Sequence, residues 1–148
     1  MTRRKYLFDS NIITGRTLVA VGRLPAGEHF SCVVLSEVMT AADPKPFRAY
    51  IETWKRAAKD RRLIMPHQDD WLPAARILHL LAQERKKNAG GKSPARTSAA
   101  KQEVFADVLI ALSAARAGVT AVTDDADFQA IKRFHKKLHV IGGGAFFA

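Results

Sequence analysis

The chain has one cysteine, Cys32, in 148 residues, so an intrachain disulfide is excluded and a cysteine-ligated zinc site is short of donors. Cys32 stands in an apolar run, where a thiol is expected to be buried and inert, as suits a reducing cytoplasm. Long hydrophobic stretches are also missing: no window approaches the roughly 20 apolar residues of a membrane span. Met1-Thr2-Arg3-Arg4-Lys5 leads into only Tyr6-Leu7-Phe8 before Asp9, and no signal peptide is expected there. The expectation is a cytoplasmic protein without a membrane partner. Neither an internal repeat nor a boundary to a second domain is legible, so residues 1–148 are expected to form one domain. Acidic residues are scarce, 14 against 24 Lys and Arg, which leaves a net charge of +10. Such an excess attracts polyanions, nucleic acid first among them.

What is present is the composition of a globular protein, 47% hydrophobic and 26% charged. A chain of this size buries roughly 68–70% of its unfolded surface, enough for a real core. Strand-like and helix-like segments alternate. Tyr6-Leu7-Phe8 reads as a short buried strand, followed by the helix-capping types Asp9-Ser10-Asn11. The run 30–35 reads as a second strand, with a short helix from Ser36-Glu37 that stops before Pro44 and Pro46. An amphipathic helix is expected over 47–61, a strand over 63–65, and a helix capped by Asp69 or Asp70 after it. Residues 85–101, basic and containing Gly, Ser and Pro, read as a mobile loop within the domain. A strongly apolar helix over 103–117 ends at Gly118, then come a strand over 121–123, a helix over 126–134 and a last strand over 138–141. This alternation predicts an α/β/α sandwich with a mostly parallel sheet of about four to five strands.

The few acids are placed where they are costly. Asp9 follows Tyr6-Leu7-Phe8, Glu37 follows Cys32-Val33-Val34-Leu35, and Asp125 follows Ala121-Val122-Thr123. Asp107 is set inside Phe105-Ala106-Asp107-Val108-Leu109-Ile110. A charged carboxylate in such surroundings costs several kcal/mol unless a cation or donor compensates it. In parallel α/β sheets, ligands bind beyond the carboxyl ends of the strands, so the topology brings Asp9, Glu37 and Asp125 to one edge. Taken alone, Asp9 or Asp125 is equally well explained as a helix N-cap. Asp107 is harder to explain that way, because helix propensity and burial both disfavour Asp at its position.

Other motifs fail on inspection. Gly90-Gly91-Lys92-Ser93 resembles a phosphate-binding loop, but Lys86 stands where its first glycine should be and no strand precedes it. His135 and His139 have Lys136 and Lys137 between them and no third ligand nearby. Trp54 and Trp71 occupy apolar helical positions and are expected in the core or a dimer interface rather than as stacking platforms.

Four segments carry a family resemblance: Leu7-Phe8-Asp9-Ser10-Asn11, Val34-Leu35-Ser36-Glu37-Val38, Ala106-Asp107-Val108-Leu109-Ile110-Ala111, and Val122-Thr123-Asp124-Asp125-Ala126-Asp127-Phe128. In this order and spacing the chain resembles the PIN-domain nucleases, and within them the VapC-like toxins of type II toxin–antitoxin systems. The resemblance implies a PIN-like fold, a metal-dependent endoribonuclease activity, a homodimer and a cognate antitoxin. It implies that Asp9, Glu37, Asp107 and Asp125 are the catalytic and metal-binding acids. Ser10, Asn11, Thr123 and Asp127 would be the supporting polar residues. The Thr-x-Asp spacing favours Asp125 over Asp124 as the metal-facing carboxylate.

Carboxylates a few ångströms apart repel and partly protonate unless divalent ions neutralise them, and hard oxygen ligands suit Mg²⁺ or Mn²⁺, one ion or two. Asp9 and Asp107 are expected at the tighter ion, Glu37 beside the attacking water and Asp125 at a second position. Arg85, Lys86, Lys87, Lys92, Arg96 and Lys101 are expected to contact RNA phosphates. Two other functions fit the same residues: a non-catalytic RNA-binding module, indifferent to chelation, and a PIN nuclease with a housekeeping role in RNA or DNA processing.

Overall fold

A computed structural model describes residues 4–15, 28–90 and 98–148. Five short strands are described, all in parallel pairings: β1 (Tyr6–Phe8), β2 (Phe30–Ser31), β3 (Leu63–Ile64), β4 (Thr120–Val122) and β5 (Val140–Ile141). β1 pairs with β4 and β4 with β5, while β2 pairs with β3. A parallel bridge between Leu7 and His29 lays β2 along the free edge of β1. The resulting order is β3-β2-β1-β4-β5, the expected α/β class with a parallel sheet. Leu7, Phe8, Ala121 and Val122 are fully buried, as strands covered on both faces must be.

The helices are α1 (Ser10–Gly15), α2 (Cys32–Thr40), α3 (Pro44–Lys59), α4 (Trp71–Asn88), α5 (Ser98–Ala117), α6 (Ala126–Phe134) and α7 (Gly143–Phe146). α5 is the central one, with Val104 and every residue from Asp107 to Ala114 buried. Gly118 ends it at φ +67°, the left-handed cap that glycine adopts without strain. A different need fixes Gly143, where an added Cβ would stand 2.7 Å from Ile12 Cδ1 and 3.0 Å from Asp124 Oδ2.

Three expectations are corrected. The second apolar run is strand only at Phe30–Ser31, and helix begins at Cys32. The Ser31 hydroxyl accepts from the Val33 amide at 3.2 Å, and this N-cap turns the β-branched residues into the first turn of α2. Glu37 therefore lies within a helix rather than after a strand. The basic loop expected over 85–101 is shorter than its composition suggested. Arg85, Lys86 and Lys87 form the last turn of α4, where cations meet the negative end of the helix dipole, and Lys101 lies in the first turn of α5. Lys92 and Arg96 fall outside the described residues.

The third correction concerns the start of α4. A 3₁₀ turn, Gln68–Asp70, precedes it with His67 as its cap, and the Asp70 carboxylate folds back to accept the His67 amide at 2.7 Å instead of capping α4. The terminal aromatics close over β1. Phe146 packs edge-on against Tyr6 and Phe8, with ring centroids 4.9 and 5.3 Å away, and Phe147 stacks on Phe8. Trp54 packs against the core, whereas Trp71 is half exposed and leans on Phe105. Cys32 is half-buried, and burial pushes its thiol pKa up. Among the described residues no helix is long and apolar enough to cross a membrane.

Candidate metal centre

The chain leaves β1 toward β2 on one side, while β4 and β5 lie on the other. The strand order thus reverses between β1 and β4, and the crevice beyond their carboxyl ends is where such sheets bind ligands. Asp9 and Thr123 are the first residues past these two strands. Their side chains meet across the crevice, the Thr123 hydroxyl donating to Asp9 Oδ2 at 2.7 Å. The Ser10 amide donates to the other oxygen, Oδ1, at 2.8 Å. Asp9 is thereby fixed from both sides.

Thr123 serves a second strand-to-helix turn as well. Its Oγ1 accepts from the Asp125 amide at 3.0 Å and from Asn11 Nδ2 at 3.4 Å. Asp125 is the N-cap of α6, its Oδ1 taking the Asp127 amide at 2.9 Å. Asp107 enters from α5, in mid-helix. One carboxylate oxygen from each of Asp9, Asp107 and Asp125 lies within 4.8 Å of the others. Asp124 is turned away, accepting from the Gly143 amide at 2.8 Å. The three acids line a cleft of about 190 Å³ with Ser10, Asn11, Glu37 and Glu103.

None of these lining residues is basic. Among the described residues Asp9, Asp107 and Asp125 form no ion pair, so no described cation neutralises their charge. Burial, and then the charges of Asp9, Asp125, Asp127 and Glu37, push Asp107 up to about 9. Asp9 is raised by burial against the opposing pull of the Thr123 and Ser10 hydrogen bonds. Glu37, exposed at the cleft mouth, is raised by desolvation and by the charges of Asp9 and Glu103, with a Ser10 hydrogen bond opposing them. An all-oxygen, acidic donor set fits a hard divalent cation such as Mg²⁺ or Mn²⁺ and does not fit a thiophilic one.

Three of the four expected acids thus come together, Glu37 joins at the mouth, and Ser10, Asn11 and Thr123 hold the frame. Asp127 stands in the first turn of α6, close enough to Asp107 to affect its charge. Glu103 was missed. Its signal was the spacing of four residues to Asp107, which puts both carboxylates on one face of a helix.

No protein-family model and no curated protein matches the chain. Solved structures do. One is FitAB bound to an IR36 DNA fragment, at 18% identity and TM-score 0.49, with 93% of this chain and 94% of that one covered. Another is FitAcB from Neisseria gonorrhoeae, at 18% identity and TM-score 0.45, with 92% and 96% covered. A third is VapBC2 from Rickettsia felis bound to a DNA fragment from their promoter, at 16% identity and TM-score 0.41, with 93% and 97% covered. At such identities and TM-scores, the chemistry of this chain has to be read from its own residues.

Proposed function

We propose that the protein is a Mg²⁺- or Mn²⁺-dependent endoribonuclease of the PIN type, the toxin of a type II toxin–antitoxin pair. The observation that supports the chemistry is the uncompensated convergence of Asp9, Asp107 and Asp125 within 4.8 Å. A structural role would pair such acids with cations, and a site for divalent metal would leave them as they are. The net charge of +10 supports a phosphate-bearing substrate. The toxin role, the antitoxin and the homodimer rest on the resemblance of the four acidic segments to VapC-like toxins.

In this reading Asp9, Asp107 and Asp125 hold the cation. Bound there, it would supply an activated water and neutralise charge developing on a phosphodiester. Thr123 and Ser10 keep the Asp9 carboxylate from rotating out of line. Glu37, with its raised pKa and its place at the mouth, accepts the proton of the attacking water. Asn11 steadies the β4–α6 turn through Thr123 and the Asp124 amide.

The test is cleavage of total RNA by the purified chain with Mn²⁺, with EDTA, and with Asp9→Asn in parallel. Discrete cuts that need both the metal and Asp9 are expected. Salt-sensitive RNA binding without cleavage would replace the nuclease by a PIN-fold RNA binder. Cleavage without toxicity in cells would favour a housekeeping nuclease.

A further inference from the structure

Beside the carboxylate cleft lies a larger one, of about 480 Å³, within the roughly 300–1,000 Å³ that holds small ligands. α4, α5 and α6 wall it with Leu78, Leu81, Val104, Phe105 and Ala130. Its polar groups decide what it suits. Glu84 is occupied by a two-bond fork from Arg133, at 3.1 and 2.6 Å, and so is not committed to Arg85. Arg85 Nε is buried and has no hydrogen-bond partner among the described residues. A buried donor in that condition is costly, and because Arg85 lines the cleft, a ligand whose acceptor draws the guanidinium toward it would relieve it. Lys101 adds a second cation at the rim.

The two clefts adjoin at the start of α6 and along α5. Asp127 lines the larger one while its amide is bonded to Asp125, and Lys101 and Val104 flank Glu103, which lines the smaller. A flat heterocycle with apolar faces and ring acceptors matches an aromatic wall, an enclosed donor and a cationic rim. An apolar protein helix would leave the Arg85 donor unmet.

We propose that this cleft is a nucleobase pocket: the base of a nucleotide beside the scissile phosphate enters against Phe105, an acceptor on its edge takes Arg85 Nε–H, and Lys101 holds the adjoining phosphate. The pocket rests on the ribonuclease reading and narrows its substrate to single-stranded RNA, because a base must leave its stack to enter.

The experiment uses the full chain carrying Asp9→Asn, which prevents cutting, with Mn²⁺ and a fluorescent single-stranded RNA hexamer. One base at a time is removed to leave an abasic site, and affinity is followed by anisotropy. At one position, loss of the base should weaken binding about tenfold or more. Adding Arg85→Gln, or filling the cleft with Ala130→Leu, should abolish that penalty while the melting temperature shows the protein folded. If Ala130→Leu does not fold, Arg85→Gln decides. A penalty that survives in the folded variants, or no base-dependent position at all, overturns the pocket and leaves the cleft to a protein partner. Cleavage by the wild-type chain is scored separately. Its absence alongside a penalty that the variants abolish would overturn the nuclease and keep the pocket, whereas its presence with an unmoved penalty would do the reverse.

Discussion

Two buried aspartates, one on α5 and one held by it, keep opposite company. Asp70 is 3% exposed and Asp107 8%. α5 sends Arg116 onto Asp70, whose other oxygen takes the His67 amide at 2.7 Å. The same helix carries Asp107 in among Asp9, Asp125 and Glu37, all of like charge. At nearly equal burial, one carboxylate is compensated within the fold and ties a turn to α5, and the other has only like charges around it among the described residues. Burial alone does not separate a structural acid from a functional one; the sign of its neighbours does.

Removing the charge should therefore act in opposite ways at the two sites. Asp107→Asn should reduce metal-dependent RNA cleavage at least about a thousandfold, because a catalytic ion contributes several kcal/mol to the transition state. Its melting temperature without metal should hold or rise, since a buried repulsion is removed. Cleavage gels and thermal melts on one preparation read both, and retained cleavage would erase the distinction. Asp70→Ala should do the converse. It strips the His67 amide of its acceptor, at a cost of about 1–3 kcal/mol, and should lower the melting temperature while Mn²⁺ affinity of the folded protein stays unchanged by calorimetry.

How legible these two sites were in the sequence follows from the range of the interactions that make them. β1, β4, α6 and the Gly118 cap were readable because each is an apolar run ended by a local signal: Asp125 caps its own helix, and Gly118 needs only its own backbone conformation. Asp107 stood out because an acid in an apolar helix is locally anomalous. The start of α2 was misjudged, since Val33 and Val34 favour strand and a single Ser31 hydrogen bond overrides them. The ends of the basic segment were read as loop because composition outweighed the helix propensity of Arg and Lys. Asp70 with Arg116 was beyond local reading: the partners are 46 positions apart in the chain and meet only through the packing of α4 on α5. The cleft beside Phe105 is of that same kind, built from three helices at once.

A smaller effect sharpens the contrast through pH. Burial and the neighbouring acids push Asp107 up to about 9 in the folded chain, from the usual 3.8 of an aspartate. Between those values the native state holds a proton that the unfolded chain has released. Stability of the metal-free protein should therefore be greatest in mild acid and fall as pH rises toward 9. Mn²⁺ should reverse the fall by binding the ionised native state. Asp107→Asn should flatten the slope and Asp70→Ala should leave it in place. Denaturant titrations at several pH values, with and without metal, would reveal it; a wild-type slope of the opposite sign would mean that Asp107 is ionised without help.

The smallest expected effect lies at the rim. Glu103 is exposed, one turn before Asp107 on α5, and its charge contributes to raising Glu37. Solvent screens such a group, so Glu103→Gln should weaken Mn²⁺ binding by no more than about fivefold, the equivalent of an exposed charge pair. Its clearer signature is in the pH profile of cleavage. With one like charge gone, Glu37 should ionise at lower pH, and the acid limb of the rate profile should move in that direction if Glu37 is the proton acceptor. An unmoved limb alongside weaker metal binding would assign Glu103 to the cation and take the proton-accepting role from Glu37. An unmoved limb with unchanged binding would leave Glu103 a solvated neighbour that acts on neither the cation nor the proton acceptor.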